Sequence, residues 1–351
     1  MREANLMTAA NELRKDYLLD RWVVIACQRK KRPTDFSKPT QKRQESLCAF
    51  CPGNERMTPQ AVLLYLPTNG GIEKTADKNG ERASNWLVRV VPNLYPAFMP
   101  PSKEEEKRTE SDFISERATG HHEVLVESPN HDEHIGAARV SQVVHVVNAY
   151  IDRFKELASK THVKYISIFR NHGLEAGASL SHAHTQLIAT CSIPKTVEDE
   201  LKVSEAIFKK EKTCMFCDII KKEKTSPRFI WENEGYMVFA PWASVHPFEF
   251  WLFSKEHQTT LGELSQGQVK SLAEAMRVSL GGMKSILNDP PYNFGFHQVS
   301  NEAYHWHLEV YPRLSIWAGF EKSTGMYINV VSPEDAAVHL NEAMLAEEKK
   351  I

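Results

Sequence analysis

One pattern constrains this chain more than any other: the same order of chemical residues occurs twice. The pair Cys48 and Cys51 is followed by a β-like run ending in His131, a long helical pattern, a second β-like run, and His182-Ala183-His184. Later, Cys214 and Cys217 are followed by a run ending in His257, another helical pattern, another β-like run, and His305-Trp306-His307. Sparse identity with fixed order is the mark of a degenerate internal repeat. It predicts two related α/β halves in tandem, which we place at residues 1–195 and 196–351, joined by a charged helix over 195–213. The interval from Cys51 to His131 is twice that from Cys217 to His257, so the first half carries the larger insertion.

Composition narrows the chemistry. A 351-residue, 40.0 kDa chain has material for two ordinary domains. Its formal net charge of −2 excludes a generally basic nucleic-acid binder. No apolar stretch approaches the roughly 20 residues that span a bilayer, and the N-terminus lacks a signal-peptide pattern. The expectation is a cytoplasmic soluble protein with no membrane or nucleic-acid partner. In that setting a disulfide framework is disfavoured, and each Cys-x-x-Cys reads as half of a tetrahedral metal site, with a redox pair as the other reading. Cys27 and Cys191 stand apart. With 15 histidines beside 6 cysteines, the histidines are where chemistry is to be sought.

The element pattern is that of an α+β protein. Strand composition appears at 22–26, 85–91, 122–128, 165–169, 187–189, 236–240, 248–253, 292–297 and 307–311. Val140, Val143, Val144, Val147, Ile151, Phe154 and Leu157 predict an amphipathic helix over 137–158. A second helical region, 261–287, is expected to break or end at Gly281-Gly282, and a last helix begins near Pro333-Glu334. Residues 28–44 read as a basic loop and 101–120 as a polar surface insertion. Many short strands with few helices between them predict largely antiparallel sheets, and no GxGxxG or Walker A pattern occurs.

The most informative stretch is 171–186, NHGLEAGASLSHAHTQ. Gly173, Gly177 and the small residues around them leave room for an anion to approach backbone N–H groups. Strand alternation then sets His182, His184 and Gln186 on one face. Three polar side chains pointing together are costly to bury without a ligand, metal or network.

This segment resembles the active-site signature of the galactose-1-phosphate uridylyltransferase family, in the histidine-triad (HIT-like) superfamily, where glutamine replaces the last histidine of the triad. The likeness extends from LRKDYLLDRWVVIA and Lys31-Arg32-Pro33, through Pro92-Asn93-Leu94-Tyr95-Pro96, to YHWHLEVYPR. The pattern at Gly319-Phe320-Glu321 is similar to the branch containing plant ADP-glucose phosphorylase. The resemblance implies a HIT-like fold and ping-pong nucleotidyl transfer, with His184 as nucleophile and Gln186 as phosphoryl donor. It implies a first zinc site at Cys48, Cys51, His131 and His182. A second, at Cys214, Cys217, His257 and His305, would take zinc, with iron as the other metal. Substrate contacts carried over are Arg32, Asn93, Asn171, Gly177, Ser179, His307 and Glu321. The substrates implied are a nucleotide sugar with hexose 1-phosphate or inorganic phosphate, and the assembly a homodimer. The first reading is UDP-glucose–hexose-1-phosphate uridylyltransferase; the alternative is ADP-glucose phosphorylase, favoured by the missing Glu-Thr-Gln stretch after Glu321. A zinc-stabilised nucleotide-binding module without catalysis is the third.

Overall fold

The computed structural model describes residues 11–26, 31–36, 47–102, 108–110 and 113–351. Cys27 and most of the basic loop expected at 28–44 lie outside these residues. At the start, β1 (Glu12–Lys15) and β2 (Trp22–Ile25) form a hairpin. Strands β3 (Leu63–Thr68), β4 (Gly71–Thr75) and β5 (Val88–Pro92) precede the polar insertion, whose described part is a small hairpin of β6 (Arg108–Glu110) and β7 (Phe113–Ser115). Then come β8 (Gly120–Val126), α1 (Val140–Ala158), β9 (Tyr165–His172) and β10 (His184–Thr190). The charged segment is α2 (Lys195–Glu211), followed by α3 (Met215–Glu223). The rest comprises β11 (Phe229–Glu232), β12 (Tyr236–Phe239), β13 (Phe250–Ser254), α4 (Gln266–Leu287), β14 (Tyr292–His297), β15 (His307–Pro312), α5 (Gly319–Thr324), β16 (Tyr327–Asn329) and α6 (Pro333–Glu348).

Eleven strands make one sheet in the order β11-β12-β13-β15-β14-β9-β10-β8-β5-β3-β4, every pair antiparallel. Its middle is the β9–β14 pair, where Asn171 stands opposite Asn293. A three-stranded sheet β1-β2-β16 lies apart from it, with β16 parallel to β2. Among the described residues no helix is long and apolar enough to cross a membrane.

Strand alternation sorts the two faces. Leu125, Ile166, Ile168 and Leu187 turn to a helical layer and share a core with Val143 and Val147 of α1, Leu272 and Met276 of α4, and Leu340 of α6. That core draws on strands from both ends of the chain. Ser265 caps α4 and Gln268 closes the capping box; Ser332 caps α6, with Pro333 in its first turn. The break expected at Gly281-Gly282 does not occur, and α4 runs through it. A Cβ on Gly281 would lie 2.8 Å from Gly136 O, and one on Gly282 2.9 Å from Met344 Cγ. The glycines serve close packing between helices, which outweighs their poor helix propensity. The opposite face of the sheet carries α2, α3 and the cysteine loops, and the side chain of His184 points to it.

Candidate active site and metal centres

On β10 the alternation places Thr185, Leu187 and Ala189 toward the helices and His184, Gln186 and Ile188 on the opposite face. The helical side holds the strand firmly. Thr185 Oγ1 donates to Glu127 Oε1 at 2.5 Å and lies 2.7 Å from Tyr150 Oη. Glu127 is ion-paired with the buried Arg170, and Arg153 of α1 forks onto Glu123 of β8 at 2.7 and 2.8 Å. Such satisfied buried networks fix strand position.

Backbone geometry sets the state of His184. Its Nδ1 lies 2.7 Å from His182 O, and a carbonyl only accepts, so Nδ1 carries the proton and Nε2 the lone pair. The ring is nearly buried, with Phe50 edge-on at 5.4 Å. Gln186 stands opposite Val124 of β8 and Phe169 of β9. Its Oε1 is 2.8 Å from His122 Nε2. His122 Nδ1 accepts from Ala97 N–H at 3.1 Å, so the neutral ring donates from Nε2 to the Gln186 carbonyl. The Gln186 amide NH2 is thereby turned away from His122. Asn93 Nδ2 lies 3.1 Å from the same Nε2, while its Oδ1 accepts from Tyr95 N–H. A cavity of about 660 Å³ is bordered by Asn93 and His122.

The glycine-rich turn follows β9. Gly173 and Gly177 hold left-handed φ values of +82° and +87°, and a Cβ on Gly173 would strike Pro291. The N–H groups of Gly177 and Ala178 donate to Leu174 O and Gly173 O, so this turn spends them on itself. What it offers an anion therefore comes from Ser179 onward and from Asn171. The Asn171 Oδ1 accepts from Asn293 Nδ2, and its Nδ2 faces Gly177.

Three clusters of metal-ligating side chains stand on this side of the sheet among the described residues: Cys48, Cys51, His131 and His182; Cys214, Cys217, His257 and His305; and Glu200, His297, His307 and Glu309. In the first, Cys48 Sγ and Cys51 Sγ each lie 3.6 Å from His182 Nδ1, and Cys51 Sγ lies 3.4 Å from His131 Nδ1. His182 Nε2 donates to Ser128 O at 2.8 Å, which leaves Nδ1 as the ligand nitrogen. Burial also holds this imidazole below its usual range. In the second, Cys217 Sγ is 3.4 Å from His257 Nδ1 and 3.5 Å from His305 Nδ1. Ser254 Oγ donates to Glu256 O and so accepts from His305 Nε2, fixing the same tautomer. Hydrogen bonds from Cys217 and His305 hold the Cys214 thiol well below its usual range.

The expected site residues separate into those this chain gathers and those it does not. His184, Gln186, Asn93, Asn171, Gly177 and Ser179 occupy one region. His307 lies elsewhere: it is fully buried between Phe253, stacked at 4.7 Å, and Phe216 at 5.4 Å, with Nε2 3.3 Å from Glu309. The substrate contact expected of His307 is thus not available, because α3 and the aromatic layer cover it. Arg32 heads a 3₁₀ turn whose Phe36 packs on Phe248, and Glu321 caps α5 beside β16 through Ala318 N–H. Their contacts are with Asp35 and with the Ala318 N–H at the start of α5, not with β10. His122 and the third cluster escaped the sequence reading. His122 sat in a run read only as strand, although its two-residue alternation with Val124 and Val126 already put it on the His184 face.

Residues 65–194 match the family described as galactose-1-phosphate uridyl transferase, N-terminal domain, and residues 133–350 match a domain of unknown function, DUF4921. The chain is 33% identical to an ADP-glucose phosphorylase of Arabidopsis thaliana over 95% of its own length and 93% of the relative's. It is 28% identical to a galactose-1-phosphate uridylyltransferase of Thermotoga maritima, over 94% and 98%. The crystal structure of an ADP-glucose phosphorylase from Arabidopsis thaliana with bound ADP-glucose superposes with a TM-score of 0.76 at 30% identity, over 95% of this chain and 99% of that one. With identity of this extent, the chain belongs to the galactose-1-phosphate uridylyltransferase family of the histidine-triad superfamily, close to its ADP-glucose phosphorylase branch, and is an enzyme of nucleotidyl transfer on nucleotide sugars.

Proposed function

We propose that the chain transfers the adenylyl group of ADP-glucose to inorganic phosphate in two displacements through His184. The observation that carries the two displacements is the tautomer: with Nδ1–H given to His182 O, Nε2 presents its lone pair toward substrate, and His122 orients the Gln186 amide. In the first displacement Nε2 attacks the α-phosphorus, an N–P bond forms, and the bond to the bridging oxygen breaks. Glucose 1-phosphate leaves with that electron pair. The Nδ1–H···O=C bond stabilises the positive charge that the ring acquires. In the second, a phosphate oxygen attacks the same phosphorus, the N–P bond breaks, and ADP departs with His184 restored. The Gln186 amide, Asn171 Nδ2 and Ser179 steady the phosphoryl oxygens without moving. Asn93, which meets Gln186 through His122, suits a contact to the nucleoside.

The adenylyl reading draws support from the 33% identical phosphorylase and from the missing Glu-Thr-Gln stretch. Uridylyl transfer to galactose 1-phosphate is the second reading, supported by the Thermotoga maritima relative. We further propose zinc at the two Cys2His2 clusters. Bonds near 2.3 Å to sulfur and 2.0–2.1 Å to nitrogen at a tetrahedral angle give S···N edges of roughly 3.6 Å, which the observed 3.4–3.6 Å separations fit. Four protein ligands leave no open position, so the metal would be structural. His182, two residues before His184, would anchor the nucleophile's strand. The tandem halves 1–195 and 196–351 remain our reading of the chain, supported by strand orders that run outward alike from the β9–β14 pair. A homodimer is what the family resemblance implies.

The test is to mix the purified chain with ADP-glucose or UDP-glucose without acceptor and weigh it. An AMP adduct that His184→Ala lacks and that phosphate discharges as ADP is the expected result. A UMP adduct discharged only by galactose 1-phosphate would replace the adenylyl reading, and no adduct with either sugar would end both.

A further inference from the structure

A second cavity, of about 290 Å³, opens on the same sheet face as His184 but further along, over β14 and β15. It begins two strands from β10, roughly 10 Å away at ordinary strand spacing. Its wall is aromatic and cationic. His246 stacks on Trp317 at 5.1 Å with 24° between the rings, and the Arg313 guanidinium lies 5.6 Å from the Trp317 centroid. Arg21 enters from the N-terminal hairpin, its Nε held by Asp16 at 2.9 Å.

Three features leave polar groups without partners there. Thr196, in the first turn of α2, lines the cavity, and the residue before that turn is Pro194, which supplies no side-chain cap. The helical ladder starts only at Glu198 N–H, bonded to Pro194 O, so the N–H groups of the first turn point out of the helix end. Arg313 has no carboxylate partner among the described residues. His246 is 5% exposed, yet its Nδ1 has no hydrogen-bond partner. A buried polar atom left so carries a desolvation cost unless a ligand meets it.

Two carboxylates also border the space, and both are already engaged. Glu249 accepts from Val245 and His246 N–H and from the Trp251 indole. Glu309 accepts from Tyr311 Oη and lies against His307 and His297. Burial, with Arg313 and Arg21 nearby, brings His246 down to about 3, so a neutral ring offers one N–H.

We propose that this cavity is a binding site for a phosphate group, free or on a small phosphomonoester, separate from the reaction centre. Two guanidinium groups, an uncapped helix N-terminus and a buried imidazole nitrogen make a donor set of the kind that phosphate oxygens fill. The volume admits a phosphate and a small substituent, which Trp317 would stack against. Asn293 borders the cavity and donates to both Asn171 Oδ1 and Ala176 O, so an occupant would sit against the support of the reaction centre.

Calorimetric titration of the purified chain with inorganic phosphate, and in a second arm with glucose 1-phosphate, tests this. The expected result is saturable binding that Gln186→Ala retains and that Arg313→Gln weakens about tenfold or more, the scale of one charge-assisted hydrogen bond. His246→Phe keeps the stacking on Trp317 but removes the nitrogen, and should weaken binding with the melting temperature unchanged. Tighter binding of glucose 1-phosphate assigns the site to a phosphomonoester, and equal or weaker binding assigns it to free phosphate. Absence of saturable binding, loss of all of it in Gln186→Ala, or its survival in Arg313→Gln would each overturn the proposal. These outcomes are independent of adduct formation on His184.

Discussion

Strands β10 and β15 carry nearly the same chemical phrase, His-x-His-x-Gln and His-x-His-x-Glu, and meet opposite fates. In each, the second histidine gives Nδ1–H to the carbonyl two residues earlier, at 2.7 Å for His184 and 3.1 Å for His307. In each, the first histidine presents Nδ1 to a cysteine pair. The difference lies in what stands over the strand. His184 meets one aromatic ring, Phe50, edge-on at 5.4 Å; over His307 are Phe216 of α3 and Tyr304, with Glu200 of α2 engaged by the Tyr304 hydroxyl at 2.5 Å. The residue two further on follows suit. Gln186 keeps an amide NH2 to offer, whereas Glu309 is an acceptor spent on the Tyr311 hydroxyl and faced by His297. A strand can set a tautomer, but access and the i+2 side chain decide whether the ring reacts.

The sharpest way to break this comparison is to remove each ring in turn. His184→Ala should cut transfer by roughly 10⁴-fold or more, as expected for a lost nucleophile, and lower the melting temperature by a few degrees, since the nearly buried ring packs on Phe50. His307→Ala should do the reverse, costing about 2–4 kcal/mol of stability from the cavity and the stranded Glu309, while the adduct still forms in the folded fraction. Adduct mass and thermal melting report both. Loss of the adduct in a well-folded His307→Ala protein would show that the two strands share one reaction.

Next in size are the groups around the nucleophile. Gln186→Ala should lower kcat by about 10²–10³-fold, the loss typical of one oriented oxyanion donor. His122→Ala should cost about 10–100-fold through the orientation of Gln186. Its loss should fall on kcat with KM for the nucleotide sugar nearly constant, and His122→Gln, which keeps a donor toward Gln186 Oε1, should recover part of it. Equal losses in kcat and in binding would show that His122 acts as part of the nucleoside pocket instead. At the cysteine pairs, Cys48→Ser and Cys214→Ser should each remove one metal equivalent per chain by elemental analysis. Only Cys48→Ser should also slow adduct formation, because His182 lies two residues before the nucleophile and its carbonyl holds the His184 ring.

Much of this was legible in the sequence because it was periodic or paired. The valine spacing marked α1, and each Cys-x-x-Cys marked half of a metal-ligating cluster, whose histidines the family resemblance supplied. What escaped depended on strand partners. His122 matters only because β8 lies beside β10 and brings it diagonally to Gln186. Glu200 joins His297 only because α2 folds back over β14. The glycines of α4 misled for a related reason: local propensity argued for a break, while Met344 and Gly136, distant in sequence, required the space. Arg32 and Glu321 sat in motifs without any local sign that the chain would hold them away from β10.

The smallest expected effect separates the two strands by pH. Burial works against a charged His297, yet Glu200 and Glu309 outweigh it and raise the imidazole to about 9 from 6.5. Burial likewise opposes the Glu309 carboxylate, but His297, His307 and Tyr311 bring it down to about 2 from 4.5. A raised folded value for His297 means that its contribution is complete below pH 6.5 and is lost as pH climbs through about 9. A depressed value for Glu309 means a contribution present above pH 4.5 and lost as pH falls through about 2. The melting temperature should therefore decline on the alkaline side, from neutral pH to beyond 9, and His297→Gln should flatten that limb. The decline belongs to β14 and β15, so His184→Ala should leave it intact. Glu200, His297, His307 and Glu309 could alternatively hold a divalent ion, which would displace the His297 proton and abolish the slope. A flat alkaline limb together with a third metal per chain would make the covered centre a metal site, and the contrast between the strands would become one between phosphoryl chemistry and coordination.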